Sequence, residues 1–434
     1  MFWGELLVLL LVIFWGARLQ GMSLGILGGL GLTILTFCFH VKPQNPPFTV
    51  ILCITAVVTA VGTVEAAGGL QYVIQVAEKF IKKRPNHIIF ISPLVTYLVV
   101  FLTGTGHIIY SILPIIAIVA KDVGIRPERP LSLSVIAGLH AVISSPISAP
   151  MALIVSLLGP QGITILTILK VLIIATLGGI IIATVVVNCL PKQLPKEVTD
   201  NLTNHHLTNN ITTIQASKKP TPVTAKWALL LFMLGSLLIV LVSSMAILRP
   251  SWTVGGVTVP LSLTTTQAII MLATAAIIML VCGVKSHTIV QGKAFTAGIQ
   301  ALISILGIAW LSDTFIQANF NIISTFIDNH ITAPWQFSII VFFMSAIMLS
   351  NTATIRAMIP LGIALGIPFP ILLACLPAVN GLFCIPSYPT ILAAIHLDDT
   401  GTTRVGKFII NHSFLLPGLV STIAAVMIAF GLSS

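Results

Sequence analysis

Three features of this 434-residue chain mark it as an all-α polytopic membrane protein. Charged residues make up only 7% of it and hydrophobic residues 56%, where a water-facing domain carries about 25% charge. Mean hydropathy is +1.08. Apolar runs recur from end to end and continue through many of the 32 glycines and 25 prolines, as in spans whose backbone is satisfied within a helical bundle. This composition excludes a soluble enzyme, a nucleic-acid binder and a disordered scaffold.

Taken in order, apolar windows fall at 6–14, 22–40, 48–62, 87–101, 171–187, 228–247, 266–282, 294–310, 335–349 and 417–432. Several reach the ~17–25 residues that cross a hydrocarbon core. Two further stretches, 103–158 and 350–397, are apolar but repeatedly broken, which brings the expectation to about ten to twelve spans. The opening Met-Phe-Trp-Gly-Glu has no basic n-region and reads as the start of a first membrane helix rather than a cleaved signal. Residues 188–226 are rich in Thr, Asn, His, Lys and Pro and lack apolar periodicity. They read as a hydrophilic linker between a first membrane repeat, 1–187, and a second, 227–434.

The net charge of +10, from 21 Lys and Arg against 11 Asp and Glu, sits mostly at the ends of apolar segments. The positive-inside rule then places Lys79, Lys82, Lys83 and Arg84 in the cytoplasm, together with Lys192, Lys196, Lys218, Lys219 and Lys226 of the linker. That puts the N-terminus outside, and Lys42 with it. The six cysteines lie in or beside apolar stretches without a C-x-x-C pair, so they read as packing residues.

The two halves resemble each other. The first runs from Pro114 through Gly124-Ile125-Arg126-Pro127 to Ser145-Pro146-Ile147-Ser148-Ala149-Pro150. The second runs from Pro360 through Gly366-Ile367-Pro368 to Ile385-Pro386-Ser387-Tyr388-Pro389. Matching Gly/Pro-interrupted segments in two halves point to a transporter built from internal repeats, with its site near the midplane.

Polar residues inside these breaks carry the candidate chemistry. Thr103-Gly104-Thr105-Gly106-His107 combines poor helix formers with hydroxyls just before an apolar helix. An unwound turn there leaves amides free at a helix N-terminus, which suits an anion; a glycine-mediated helix contact is the alternative. His107 reads as a hydrogen-bonding helper, not a metal ligand. Ser350-Asn351-Thr352-Ala353-Thr354-Ile355-Arg356 is the counterpart. An arginine at membrane depth costs about 2.5–3.5 kcal/mol on insertion scales and so faces a cavity or a partner. Arg356 is read as a clamp for a substrate carboxylate, against a snorkelling or ion-paired arginine. Ser148 and Ser387 either present hydroxyls and freed carbonyls to the same cavity or mark bare hairpin turns. Asn380 contributes an amide. The run His396–Arg404 with Asp398 and Asp399 is either a cation or proton site or an exposed turn, and Asp313 and Glu65 are proton relays or span ends. No hydrolase motif or P-loop is present in the sequence. From the residues alone the chain is a secondary carrier for a small anion and not an enzyme, with no cofactor beyond a coupling Na⁺ or H⁺.

A resemblance extends this. Gly16-Ala17-Arg18, Ile26-Leu27-Gly28-Gly29-Leu30-Gly31, Gly68-Gly69-Leu70, Gly104-Thr105-Gly106-His107 and Leu113-Pro114-Ile115-Ile116 fit one family. So do Ile125-Arg126-Pro127-Glu128-Arg129-Pro130, Ser145-Pro146, Pro386-Ser387-Tyr388-Pro389, Gly401-Thr402-Thr403 and Asn411-His412-Ser413-Phe414. Over nearly its full length the chain closely resembles the bacterial anaerobic C4-dicarboxylate carriers of the Dcu A/B family. The I-R-P-E-R-P and G-T-G-H-x-x-Y positions are nearer the B-type branch.

The resemblance implies an inner-membrane carrier that exchanges external fumarate, malate or aspartate for internal succinate. It also implies inverted repeats with re-entrant hairpins, an elevator-type movement, a homodimer, and pairing with a fumarate-responsive sensor kinase. Ser350-Asn351-Thr352 matches the Ser-Asn-Thr hairpin tips of the wider superfamily. Three positions depart from the family pattern: Ala346 and its neighbours supply no lysine before the second polar turn, Arg356 stands where A-type relatives have lysine, and Thr390-Ile391 stands where B-type relatives are acidic. The rivals to exchange are a Na⁺- or H⁺-coupled symporter for a small carboxylate and a low-flux membrane sensor.

Overall fold

The computed structural model describes residues 1–19, 22–46, 48–190, 223–254, 257–322, 325, 333–386, 388–405 and 411–433. Most of the linker, including Lys192, Lys196, Lys218 and Lys219, lies outside the described residues. The first half contains α1 (Phe2–Leu19), α2 (Ser23–Phe37), α3 (Phe48–Ala66), α4 (Gly69–Lys83), α5 (Ile88–Thr103), α6 (Ile109–Asp122), α7 (Glu128–Ser144), α8 (Ala149–Leu158) and α9 (Ile165–Asn188). After the linker come α10 (Val223–Ser244), α11 (Leu263–Cys282), α12 (Ser286–Val290), α13 (Lys293–Ala318), α14 (Pro334–Met348) and α15 (Asn351–Ala364). The chain continues with α16 (Phe369–Cys375), a 3₁₀ segment Leu376–Phe383, α17 (Pro389–Leu397) and α18 (Leu415–Ser433). A hairpin of β1 (Ser251–Val254) and β2 (Val257–Pro260), pairing Trp252 with Val259, joins α10 to α11.

Helices win here because, away from water, a segment must satisfy its own amides. Internal hydroxyls do the same: Thr55, Thr59 and Thr63 of α3 each donate to the carbonyl four residues back at 2.7–2.8 Å. Hydroxyl caps start α9, where Thr164 accepts from Thr167 N at 3.2 Å, and α11, where Ser262 accepts from Thr265 N at 3.1 Å. Among the described residues six helices are long and apolar enough to cross a membrane, or seven with the pair Ile51–Ala66 and Gly69–Lys83, bent by 70°. Three shorter apolar helices, Phe2–Gly16, Gly25–Phe37 and Trp335–Met348, match further hydrophobic windows, Phe369–Phe383 lies in the second broken stretch, and the window 294–310 falls in α13. Six or seven is a count by length and composition among the described residues and stands beside the ten to twelve spans read from hydropathy, which include the shorter apolar helices.

An apolar belt faces outward: Leu234, Leu237, Leu238 and Leu241 on α10, and Ile423 and Met427 on α18, are exposed. On a multi-pass protein this is the lipid face. The 70° bend turns at Gly68, φ +84°, and lays α4 down as an amphipathic helix. Its Val73, Ala77 and Ile81 are buried while Glu78 and Lys82 pair at 2.5 Å on the exposed side.

Two groups of helices position the site. In one, α2 and α13 cross so closely that a Cβ on Gly28 would overlap the Gly307 backbone, and one on Gly307 the Gly25 carbonyl. This is the small-residue contact that lets membrane helices pack without a hydrophobic drive. The same α13 packs against α3 through Gly298, whose Cβ would meet the Val58 side chain. In the other group, two helix–break–helix units occur in each half: α5 with α6 and α7 with α8, then α14 with α15 and the 376–383 segment with α17. The helices α9 and α18, which follow these units, pack face to face, Gly179 lying against the Ser421 backbone.

Candidate functional site: a cavity ringed by helix N-termini

The breaks at Gly104 and Leu349 use one device twice. Helix α5 ends on Gly104 at φ +68°, in the left-handed region. Thr105 then runs extended, and its Oγ1 accepts from His107 N at 3.3 Å as the chain re-enters helix through Gly106–Ile108. Helix α14 ends on Leu349 at φ +49°. Ser350 runs extended and its Oγ accepts from Ala353 N at 3.2 Å. In both, a left-handed residue stops one helix and a hydroxyl caps the next. Glycine is required at the first: a Cβ on Gly104 would lie 2.9 Å from the Ile147 carbonyl oxygen. Leucine at the second carries a left-handed cost of roughly 1–2 kcal/mol, a strain typical of functional turns.

The other two breaks deliver two more helix starts. Ser148 is fully buried; its Oγ accepts from Met151 N at 3.1 Å to cap α8 and donates to Ser145 O at 3.0 Å. Tyr388 is extended before Pro389, the first residue of α17. The starts of α8, α15 and α17, and of the helix leading into α6, all border one cavity of about 350 Å³, within the size range of small-molecule sites. Its polar side is formed by Gly104, Thr105, Gly106, His107, Tyr110, Ser350, Asn351, Thr352, Tyr388 and Thr390. The facing wall is mostly apolar: Ile54, Val57, Val58 and Val61 of α3, with Ala294, Gly298 and Ile308 of α13, and it carries one polar side chain, Gln300 of α13, among the described lining residues.

Among the described residues, no Asp, Glu, Lys or Arg lines this cavity. Its field therefore comes from backbone. Each helix start presents first-turn amides without intrahelical acceptors and the positive end of a dipole. A terminus is worth about 0.3–2 kcal/mol to a nearby anion, and four of them suit a small dianion better than any neutral or cationic ligand.

The structure brings together Gly104, Thr105, Gly106, His107, Ser350, Asn351 and Thr352 on the cavity wall. It sets the other sequence candidates apart from that wall. Thr103 Oγ1 donates to Val99 O at 2.8 Å and Thr354 Oγ1 to Ser350 O at 2.8 Å, so both hydroxyls serve their own helices. Ser148 stands behind the α8 start as its cap. Asn380 lies behind Asn351, accepting from its Nδ2 at 3.0 Å. Arg356 is one turn further along α15, where its guanidinium is ion-paired with Asp313 of α13. Ser387 lies outside the described residues. Glu65 accepts from Ala294 N at 2.8 Å, capping α13 from α3.

Sequence reading did not single out Tyr110, Tyr388 and Thr390 on the cavity wall, nor the buried His140 that binds Asn380. Tyrosine is scarce in this chain, with only 4 residues, and two of them at one cavity was the available signal. Asn351 Oδ1 and Thr390 Oγ1 are buried without a hydrogen-bond partner among the described residues, a feature that groups awaiting a ligand share. The acidic run after α17 forms a turn instead. Asp398 accepts from Thr400 N at 3.0 Å, Thr402 Oγ1 at 2.8 Å, Thr403 N at 2.6 Å and Thr400 Oγ1. Burial pushes its carboxyl up, but these bonds outweigh it and hold the group below the usual carboxylate range. Asp399 pairs with Lys121 of α6 at 2.5 Å, docking the turn beside the charged link Arg126–Glu128.

Broken helices meeting around an uncharged polar cavity, inside a bundle with an apolar belt, define a multi-pass helical membrane protein of the carrier class. The family described as anaerobic C4-dicarboxylate membrane transporter matches residues 1–434. The C4-dicarboxylate transporter DcuA of Escherichia coli strain K12 is 38% identical over 436 residues, spanning 99% of this chain and 98% of the relative. DcuA of Wolinella succinogenes is 36% identical, and the anaerobic C4-dicarboxylate transporter DcuB of Escherichia coli O6:H1 35%, each spanning 98% of this chain and 98% and 97% of the relative. The chain belongs to the anaerobic C4-dicarboxylate transporter family, whose named members are transporters and not enzymes. Whole-chain identity sets these A-type relatives, at 38% and 36%, slightly above the B-type one at 35%, so it does not support the nearness to the B-type branch expected from the short motifs.

Proposed function

We propose that this protein is a secondary carrier for C4-dicarboxylates of the bacterial inner membrane, exchanging fumarate, malate or aspartate for succinate. The observation that carries this reading is the cavity with four helix N-termini and, among the described residues, no Asp, Glu, Lys or Arg. A dianion of four carbons has one carboxylate for the Gly104–His107 tip and one for the Ser350–Thr352 tip. In the arrangement seen here, with Arg356 held by Asp313, amides and hydroxyls of the tips bind it. The contrast between a polar wall of helix tips and a wall of α3 and α13 that is Ile, Val, Ala and Gly apart from Gln300 supports elevator-type movement, in which the tips carry the substrate along the largely apolar wall.

Arg356 enters this reading as the link between the two walls. Its pair with Asp313 joins α15 to α13, and opening that pair is what frees the guanidinium to act as the carboxylate clamp. Exchange follows if the empty carrier crosses slowly, since without a ligand the first-turn amides of the four helix starts have no anion to bind. The homodimer, the N-terminus outside and the pairing with a sensor kinase belong to the same reading. The test is efflux of labelled succinate from proteoliposomes with and without external fumarate, at zero membrane potential and without sodium. Fumarate-triggered efflux supports exchange. Flux that instead requires a sodium or proton gradient, whatever the trans substrate, replaces exchange with symport.

A further inference from the structure

Behind the cavity wall a chain of side chains runs from Asn351 across to α18. Asn351 Nδ2 donates to Asn380 Oδ1 at 3.0 Å, and Asn380 Nδ2 lies 2.9 Å from His140 Nδ1. On the far side of the ring, His140 Nε2 lies 3.3 Å from Ser421 Oγ and 3.5 Å from Thr422 Oγ1. Ser421 Oγ donates onward to Gly418 O at 2.9 Å. His140, Asn380 and Ser421 are buried to within 1% of complete, and Asn351 is 7% exposed. The chain thus joins α15, the 376–383 segment, α7 and α18 around one imidazole.

Donor counting gives one self-consistent polarity for these contacts. With Asn380 Nδ2 donating to His140 Nδ1, that nitrogen must accept, so the imidazole is neutral with its proton on Nε2. Asn380 then has only Oδ1 to offer Asn351, Asn351 must donate, and its own Oδ1 is left over. That atom is the buried Asn351 oxygen without a partner, on a residue that lines the cavity. A second proton on Nδ1 makes the ring a double donor. Asn380 must then turn its Oδ1 to the ring and its Nδ2 to Asn351, and Asn351 turns in response. Its Oδ1 accepts from Asn380 and its Nδ2 faces the cavity. The fully buried ring stays neutral in the empty carrier; the arriving dianion draws in one proton from solvent, which replaces an acceptor with a donor where a carboxylate would lie.

We propose that His140 is a positioning residue that, through Asn380, sets whether Asn351 offers a donor or an acceptor to the dicarboxylate, so that dicarboxylate binding is linked to uptake of a proton. This rests on the reading of the cavity as a dicarboxylate site.

The surroundings leave the ring free of competing charge. His140 hydrogen-bonds Asn380, Ser421 and Thr422. Of the elements packed against α7, α5 carries Tyr97, which bonds Thr176 at 2.8 Å. The 106–108 turn carries His107, and α6 carries Tyr110, Lys121 and Asp122, with Lys121 engaged by Asp399. Helix α9 carries Lys170, which is exposed, and α17 carries His396 at its last turn. Helices α8 and α18 and the 376–383 segment carry no titratable side chain. Glu128 and Arg129 lie at the far N-terminal end of α7.

The test is the pH dependence of the fumarate KM in proteoliposomes between pH 5.5 and 8, for the native chain, His140→Asn and Asn380→Leu. Fumarate is a dianion across this range, so its own titration does not enter. Asparagine reproduces the Nδ1 reach to Asn380 without titrating, and leucine at 380 severs the relay while His140 remains. The native KM is expected to fall about tenfold toward pH 5.5, the size of one hydrogen bond to a charged group. In His140→Asn transport persists with a KM that no longer varies with pH; in Asn380→Leu the KM is raised and equally flat. A native KM that is flat over the range overturns the proposal without either variant, and so does a pH profile that survives in either one. Failure of the native chain to move fumarate at any pH would instead overturn the dicarboxylate reading itself.

Discussion

Replacing Gly104 with alanine separates two costs that the structure assigns to different parts of the molecule. The first is backbone: Gly104 sits at φ +68°, where an L side chain costs roughly 1–2 kcal/mol. The second is contact. The added Cβ would lie 2.9 Å from the Ile147 carbonyl oxygen and 3.1 Å from its carbon. Backbone on both sides of that contact means one of two cavity walls must move, either the Gly104–His107 tip or the 145–148 break that starts α8. Gly124 provides the control. Its φ is +69° but nothing lies within 4 Å of its Cβ position, so Gly124→Ala incurs the backbone cost alone, away from the cavity. Gly124→Ala should lose about 1–2 kcal/mol of stability and Gly104→Ala at least as much, read as lower thermal midpoints in detergent. Only Gly104→Ala should raise the fumarate KM, by at least about tenfold, because ~1.4 kcal/mol of displaced tip contacts is a factor of ten. Equal KM values for the two variants would refute the argument that this tip holds the substrate.

Other outcomes follow from the same geometry. Arg356→Ala or Asp313→Ala alone leaves one member of a largely buried ion pair uncompensated and should destabilise the protein by about 3–5 kcal/mol, with the double variant recovering part of it. If Arg356 is also the carboxylate clamp, exchange stays lost in the double variant although stability returns; restored exchange would limit the residue to joining α15 and α13. Asp398 has a depressed carboxyl, so its contribution to stability is full above the unfolded carboxylate value and is lost as pH falls through the lower folded value. Thermal midpoints measured down the acid limb should therefore fall for the native chain and fall less for Asp398→Asn. An unchanged acid limb in that variant would remove the Asp398 turn from the account.

Much of this arrangement was legible because hydropathy and helix breakers act locally. The broken stretches 103–158 and 350–397 contain the four helix starts, and the Thr-Gly and Ser-Asn-Thr tips line the cavity. Within those tips sequence could not rank the hydroxyls. Thr103 and Thr354 look as polar as Thr105 and Thr352, but a helix absorbs a threonine hydroxyl into its own i−4 carbonyl. The left-handed turn at Leu349 was hidden because leucine does not advertise positive φ. Long-range partners were invisible for the same reason: Asp313 is 43 residues from Arg356 and His140 is 240 from Asn380. The β-hairpin between α10 and α11 had a readable signal, Trp-Thr-Val and Val-Thr-Val around Gly255-Gly256, which the surrounding hydropathy masked.

The central claim is that a C4 dianion sits between the two tips, and cysteine protection at the cavity tests it most directly. His107 is exposed and lines the cavity, so His107→Cys in a chain freed of its six native cysteines gives one reactive thiol at the site. Labelling by a hydrophilic maleimide should slow in the presence of fumarate or succinate and remain unchanged with a monocarboxylate. A thiol that reacts at the same rate with and without dicarboxylate, in a variant that still transports it, would contradict the placement of the substrate in this cavity.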